Sequence, residues 1–243
     1  MAFGKKSDND ADDVTGSDTD DELEGPFDVD DFDDPSVAAV GRLDLGSVLI
    51  PMPEAGQVQV ELSEAGVPSA IWVVRPDGRF TIAAYAAPKS AGLWREVAGE
   101  LAESLRKDMP KVIIEDGPWG REVVGVAAEG AGVVRFIGVD GYRWMIRCVV
   151  NGPPDNAVAL ADEARNALAD TVVRRGETPL PVRTPLAVQL PEPMAAQLRA
   201  AAEQAAQAQI AAQAGQQPPP AQPVARRSAQ GSAMQQLRTI TGG

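Results

Sequence analysis

The sequence has no histidine and a single cysteine in 243 residues. Without imidazole there is no Ser-His-Asp triad, no histidine general base and no histidine-containing zinc site. Cys148 alone cannot form an internal disulfide or a paired-thiol redox centre. Aromatic residues make up only 5%, and no apolar run reaches the roughly 18 residues that a membrane-spanning helix needs. Phosphate-binding loops are missing too. Gly117-Pro118-Trp119-Gly120 lacks the Lys-Ser/Thr ending, and Gly138-Val139-Asp140-Gly141 reads as a turn, not a dinucleotide fingerprint. The aspartate clusters lack the glycine and terminal glutamate of a calcium loop. These absences set the expectation of no catalytic residue, no cofactor and no metal.

Negative charge is what the chain has in excess, and it is placed unevenly. The net charge is −13. Residues 1–34 carry 14 acids against Lys5 and Lys6, a local balance of −12, whereas residues 35–190 are near −3 and residues 191–243 near +2. In the acidic stretch Phe3, Val14, Leu23, Phe27, Val29 and Phe32 are too sparse to offset backbone ordering at roughly 1–2 kcal/mol per residue. A disordered acidic arm over residues 1–38 is therefore expected. Phe27-Asp28-Val29-Asp30-Asp31-Phe32 could also dock on a basic groove or on the chain's own domain. Met1-Ala2-Phe3-Gly4-Lys5-Lys6 runs straight into aspartates, unlike a secretory leader, and position 2 is Ala, not the Gly of myristoylation. A cytoplasmic location is expected.

Composition changes between residues 39 and 191, where a single domain is expected. All four tryptophans lie there: Trp72, Trp94, Trp119 and Trp144. Runs rich in β-branched and aromatic residues predict strands near 43–50, 57–62, 70–75 and 79–87, the last two joined at Pro76-Asp77-Gly78. Ser90 is the expected N-cap of a helix over about 92–107, with Trp94, Val97, Ala98, Leu101 and Leu105 on one stripe. Further strands follow at 111–116, 121–128, 133–139 and 142–150.

Asp140-Gly141 between the last two signals a two-residue hairpin, pairing Val139 with Tyr142, Ile137 with Trp144, Arg135 with Ile146 and Val133 with Cys148. Both faces of this hairpin are largely apolar, so it should lie centrally and be covered on both sides. A second helix is expected over about 155–169, then short extended pieces at 171–174 and 184–190. Hairpins dominate, which predicts an α+β fold with a mainly antiparallel sheet and two principal helices. Residues 192–243 read as a marginal Ala/Gln-rich helix and a disordered Pro-containing tail.

Three Trp–Arg neighbours stand out: Trp94-Arg95, Trp119-Gly120-Arg121 and Arg143-Trp144. Adjacent residues point different ways, so Trp inward with Arg outward accounts for the pattern. Alternatively Arg95, Arg121 and Arg143, with Arg147 following on the same strand face as Arg143, form a surface that recognises an anion or a partner. Cys148 alternates with Ile146 and is expected in the core. The near-neutral domain, without basic runs interleaved with exposed aromatics, argues against nucleic acid.

The blocks Arg42-Leu43-Asp44-Leu45-Gly46-Ser47-Val48, Gly92-Leu93-Trp94-Arg95-Glu96-Val97, Trp119-Gly120-Arg121-Glu122 and Val139-Asp140-Gly141-Tyr142-Arg143-Trp144-Met145 resemble those of an actinobacterial family catalogued as domain of unknown function 3710. Pro181-Val182-Arg183-Thr184-Pro185-Leu186 and Leu190-Pro191-Glu192-Pro193 fit its C-terminal end. The resemblance spans roughly residues 38–200, implies a variable acidic start, and brings neither an activity nor catalytic residues. The strand–helix order is also similar to PsbP-like α+β domains, which mostly act as non-catalytic binding modules. The expectation is a cytoplasmic, non-enzymatic module that binds another protein and inserts in no membrane. The alternative is a protein or enzyme that takes a small, nucleotide-like anion on its Arg-lined surface.

Overall fold

The computed structural model describes residues 24–52, 56–63 and 66–215. Most of the expected acidic arm and all of the tail beyond residue 215 lie outside the described residues. The chain divides into two compact units, the first ending at Pro191 and the second beginning at Glu192.

The first unit is α+β. Its strands are β1 (Phe27–Asp28), β2 (Arg42–Asp44), β3 (Val48–Pro51), β4 (Gln57–Leu62), β5 (Pro68–Arg75), β6 (Gly78–Ala86), β7 (Lys111–Gly117), β8 (Gly120–Val126), β9 (Val133–Asp140), β10 (Trp144–Gly152) and β11 (Val172–Val173). Its α-helices are α1 (Pro35–Ala38), α2 (Leu93–Asp108) and α3 (Ala157–Ala169). Seven strands form an antiparallel sheet in the order β4-β5-β6-β10-β9-β8-β7, and four short ones form a second sheet in the order β1-β11-β3-β2. Among the described residues only the β1–β11 pair is parallel.

The alternation of β10 explains the layers. Trp144, Ile146, Cys148 and Val150 face one side, where α3 contributes Leu160, Ala164 and Leu168 and the small sheet contributes Val48 and Ile50. Met145 faces the other side, against Leu93, Trp94, Ala98 and Ala102 of α2 and Val123 of β8. The hairpin is central and covered on both faces, as its composition predicts. Cys148 is fully buried, also as expected.

Three local expectations are corrected. The strand expected over 43–50 is two antiparallel strands, because Asp44 accepts a hydrogen bond from the Gly46 amide at 2.8 Å and Gly46 has φ +82°, turning the chain. Helix α2 is not capped by Ser90. Its N-cap is Gly92, which has no side chain, and the carboxylate of Asp140 accepts from the amides of Gly92 (2.8 Å) and Trp94 (2.9 Å). The β9–β10 hairpin has no two-residue Asp-Gly turn. Val139 pairs with Ile146 and Ile137 with Cys148, leaving a loop that contains Gly141, Tyr142 and Arg143, the last at φ +65°. Asp140 caps α2, and the Gly141 amide donates to the Trp144 carbonyl at 2.9 Å. A slip of four residues is even, so every side chain that stays within the two strands keeps its expected face.

Residues 24–38, placed by sequence in the arm, are structured. Phe27, Val29 and Phe32 pack with Ala38, Leu49 and Val172. Asp28 and Asp31 form a reciprocal capping box around a short 3₁₀ turn. The second unit begins with helix α4 (Glu192–Gly215), rich in Ala and Gln, with Arg199 paired to Glu192 at 2.6 Å.

Candidate functional site

Tryptophan placement builds the site. Trp94, in the first turn of α2, lies flat against Gly138 of β9, where a Cβ would come within 2.0 Å of the indole. Its Nε1 donates to the Arg121 carbonyl at 2.8 Å, fixing the start of β8 against α2. Trp119 sits in the tight turn between β7 and β8, where Gly117 pairs with Gly120 and Gly120 has φ +122°. Its Nε1 donates to the Gly25 carbonyl at 2.7 Å. Trp144 donates from Nε1 to Asp28 Oδ2 at 2.7 Å. Two indoles therefore fasten residues 25–28 to the domain.

Between the start of α2 and the β7–β8 turn lies a cleft of about 600 Å³, lined by Gly92, Arg95, Trp119, Gly120, Arg121 and Asp140 among others. Arg95 and Arg121 are exposed, and neither forms an ion pair with a described residue. Elsewhere on the domain Arg42, Arg75, Arg174 and Arg183 each hold a carboxylate. The cleft therefore presents, beside an indole, two cations unpaired among the described residues. Asp140 already takes the amides that an oxyanion at the helix N-terminus would use.

The other two sequence-selected arginines lie apart from this cleft. Arg143 reaches the Glu177 carbonyl at 3.4 Å, while its own carbonyl accepts from Arg175 Nε at 3.0 Å. Burial, and then the neighbouring Arg143 charge, lower the Arg175 pKa. Arg147 lies over the Tyr85 ring at 4.9 Å and hydrogen-bonds its hydroxyl, in a groove of about 320 Å³ walled by Val97, Leu101 and Met145. The structure joins Arg95 with Arg121 and separates both from Arg143 and Arg147.

Sequence reasoning missed a buried charge cluster on the α3 side of the sheet. Glu122 is 1% exposed. It accepts from Arg165 Nε (2.9 Å) and Nη2 (2.7 Å) and from Arg135 Nη1 (2.6 Å), and Arg135 also reaches Glu115 at 2.9 Å. The Glu122 bond, joined by the Glu122 and Asp162 charges, outweighs burial and raises the Arg165 pKa further. One signal was available: Arg135 alternates with Ile137 on the face that sequence assigns to the core. Every carboxylate oxygen of Glu122 is spent on guanidinium, so the cluster braces β8, β9 and α3 and leaves no free acid or base. Burial, and then the nearby Glu122 charge, push the Cys148 thiol far above its ordinary range, so it is no nucleophile.

Among the described residues no group of His, Cys, Asp and Glu is arranged to hold a metal ion, and no helix is long and apolar enough to cross a membrane. Residues 25–197 match the family described as "Protein of unknown function (DUF3710)". No curated protein matches in sequence. Two solved structures are similar over part of the chain. One is from Bacteroides thetaiotaomicron VPI-5482, at 15% identity and a TM-score of 0.36, covering 58% of this chain and 51% of that one. The other is LpqN of Mycobacterium tuberculosis, described as involved in cell envelope biogenesis, at 13% identity and a TM-score of 0.29, covering 52% of this chain and 83% of that one.

Proposed function

The chain belongs to the DUF3710 family, and from that premise we propose that it is a cytoplasmic, non-enzymatic protein-interaction module of an actinobacterium. The observation that carries this reading is the pair of exposed guanidiniums, Arg95 and Arg121, flanking a cleft with Trp119 on its wall. Such a surface suits an extended acidic segment of another protein. Carboxylates would meet the two arginines while an apolar or aromatic side chain lies against the indole. Exposed ion pairs contribute only about 0–1 kcal/mol each, so the contact acts mainly on encounter rate and weakens with salt.

The test is affinity capture on the full chain at physiological salt, beside its Arg95→Glu/Arg121→Glu variant. A stoichiometric protein retained by the first and lost from the second supports the reading. Equal retention removes the cleft from it, and the absence of any stoichiometric protein overturns it.

A second reading, a small nucleotide-like anion held by Arg121 and Arg143, draws on the same cation at 121. It is weaker, because Arg143 does not line the cleft. Thermal shift against nucleotides separates the two, since a ligand at 100 times its dissociation constant adds about 2.7 kcal/mol of stability.

A further inference from the structure

The N-terminal segment is tied to a side chain that also lines the candidate cleft. The Gly25 carbonyl accepts from Trp119 Nε1 at 2.7 Å, and the same Trp119 lines the cleft beside Arg95 and Arg121. Immediately before Gly25, residues 8–24 hold nine acids (Asp8, Asp10, Asp12, Asp13, Asp18, Asp20, Asp21, Glu22 and Glu24) and no base. At up to about 3.6 Å per residue, the five residues Asp20–Glu24 extend roughly 18 Å, which exceeds the width of a cleft of this volume. The two cations of the cleft, unpaired among the described residues, thus lie within tether range of this acidic stretch.

We infer that residues 8–24 are an intramolecular ligand of the Arg95–Arg121 cleft and compete there with an acidic segment of a partner. This rests on the interaction-module reading and adds its regulation: the partner must displace a tethered competitor. A short tether holds the segment at an effective concentration of millimolar order, so a contact with a dissociation constant of about 0.1 mM lowers partner affinity on the order of tenfold. Docking buries little apolar surface and rests on charge, so salt releases it.

The experiment uses the full chain. Because Cys148 is fully buried, a nitroxide placed through Ser17→Cys labels that position alone. Broadening of the Gly92, Arg95, Gly120 and Arg121 amides and of the Trp119 indole is expected at low salt. It should weaken several-fold at about 0.5 M NaCl, where the Debye length falls to a few ångströms, and in Arg95→Glu/Arg121→Glu, down to what the tether alone gives. Broadening that charge reversal and salt leave unchanged reports only the tether and overturns the inference, as does none at all.

A fluorescein-labelled peptide of residues 8–24 added in trans separates this inference from the reading beneath it. It should bind about tenfold tighter when the nine acids of the chain itself are changed to Asn and Gln. Equal binding to both chains overturns the internal contact but leaves the cleft as an acidic-segment site. Binding that ignores Arg95→Glu/Arg121→Glu overturns both.

Discussion

Asp140→Ala offers the sharpest test of how α2 is held. The helix begins at Gly92, so its first turn has no local side-chain cap, and both bonded amides are served by a carboxylate 46–48 residues away. Losing an N-cap costs about 0.5–2 kcal/mol, and a charged acceptor for two amides places this site at the upper end or above. The side chain is half-buried, which discounts the charge–dipole part. We expect a loss of about 2–3 kcal/mol in urea unfolding followed by tryptophan fluorescence. At roughly 2–4 °C per kcal/mol for a unit of this size, that is a fall in Tm of about 4–12 °C. Asp140→Asn keeps one acceptor and should lose about half as much. Ser90→Ala should lose under about 0.5 kcal/mol, as an ordinary surface substitution does. Hydrogen exchange at the Gly92 and Trp94 amides should accelerate in Asp140→Ala alone. An Asp140→Ala loss no larger than that of Ser90→Ala would refute the cross-chain cap.

Glu122→Gln should cost about 3 kcal/mol, the lower end for a buried pair, because the half-buried Arg135 and Arg165 lose their shared countercharge but keep Glu115 and Asp162; a urea midpoint near wild type would show that solvent reaches the cluster. Gly138→Ala drives a Cβ into the Trp94 ring, and an overpacking loss of about 1–3 kcal/mol with red-shifted tryptophan emission is expected. Asp44 is pushed up by burial but held below the ordinary carboxylate range by hydrogen bonds from Arg174 and the Gly46 amide and by the Arg174 charge. A lowered folded-state pKa contributes stability that is present above the unfolded value and lost as pH falls through the folded one. Asp44→Asn should therefore flatten the acid limb of a stability-against-pH curve, by under about 1 kcal/mol since the pair is exposed. An unchanged acid limb would remove this pair from the pH dependence.

The sheet was legible because its strands are long, β-branched and bounded by Gly, Pro and Asp, signals that act locally. The faces of β9 and β10 were legible for the same reason, since alternation survives any even slip. Their register was not. Asp140-Gly141 is a strong local turn signal, yet Asp140 is engaged by α2, a demand that no window around residue 140 contains. Residues 25–32 were legible only in part: docking of their acidic-aromatic motif on the chain's own domain was one of two readings, and the partners were not readable. Their aspartates read as solvated charge, whereas Asp28 is taken by the Trp144 indole 116 residues on, and Phe27 and Phe32 find a core only after the small sheet exists. Two members of the paired Trp–Arg pattern, Arg95 and Arg121, line one cleft. The pattern also drew in Arg143 and Arg147, whose neighbours in space are set by the β9–β10 loop and by Tyr85. Which guanidiniums stay unpaired is decided by folding partners far along the chain, and composition cannot rank them.

The small sheet carries a consequence for synthesis. Strand β11 lies between β1 and β3, so Phe27 and Asp28 have no strand to pair with until Val172 and Val173 exist. Pairing this distant in sequence is slow to form, and it cannot begin while the chain emerges from its N-terminus. For most of translation the first strand of the nascent protein therefore waits, together with the acids ahead of it, open to whatever binds them first. The domain becomes self-contained only when its last strand slides in beside its first.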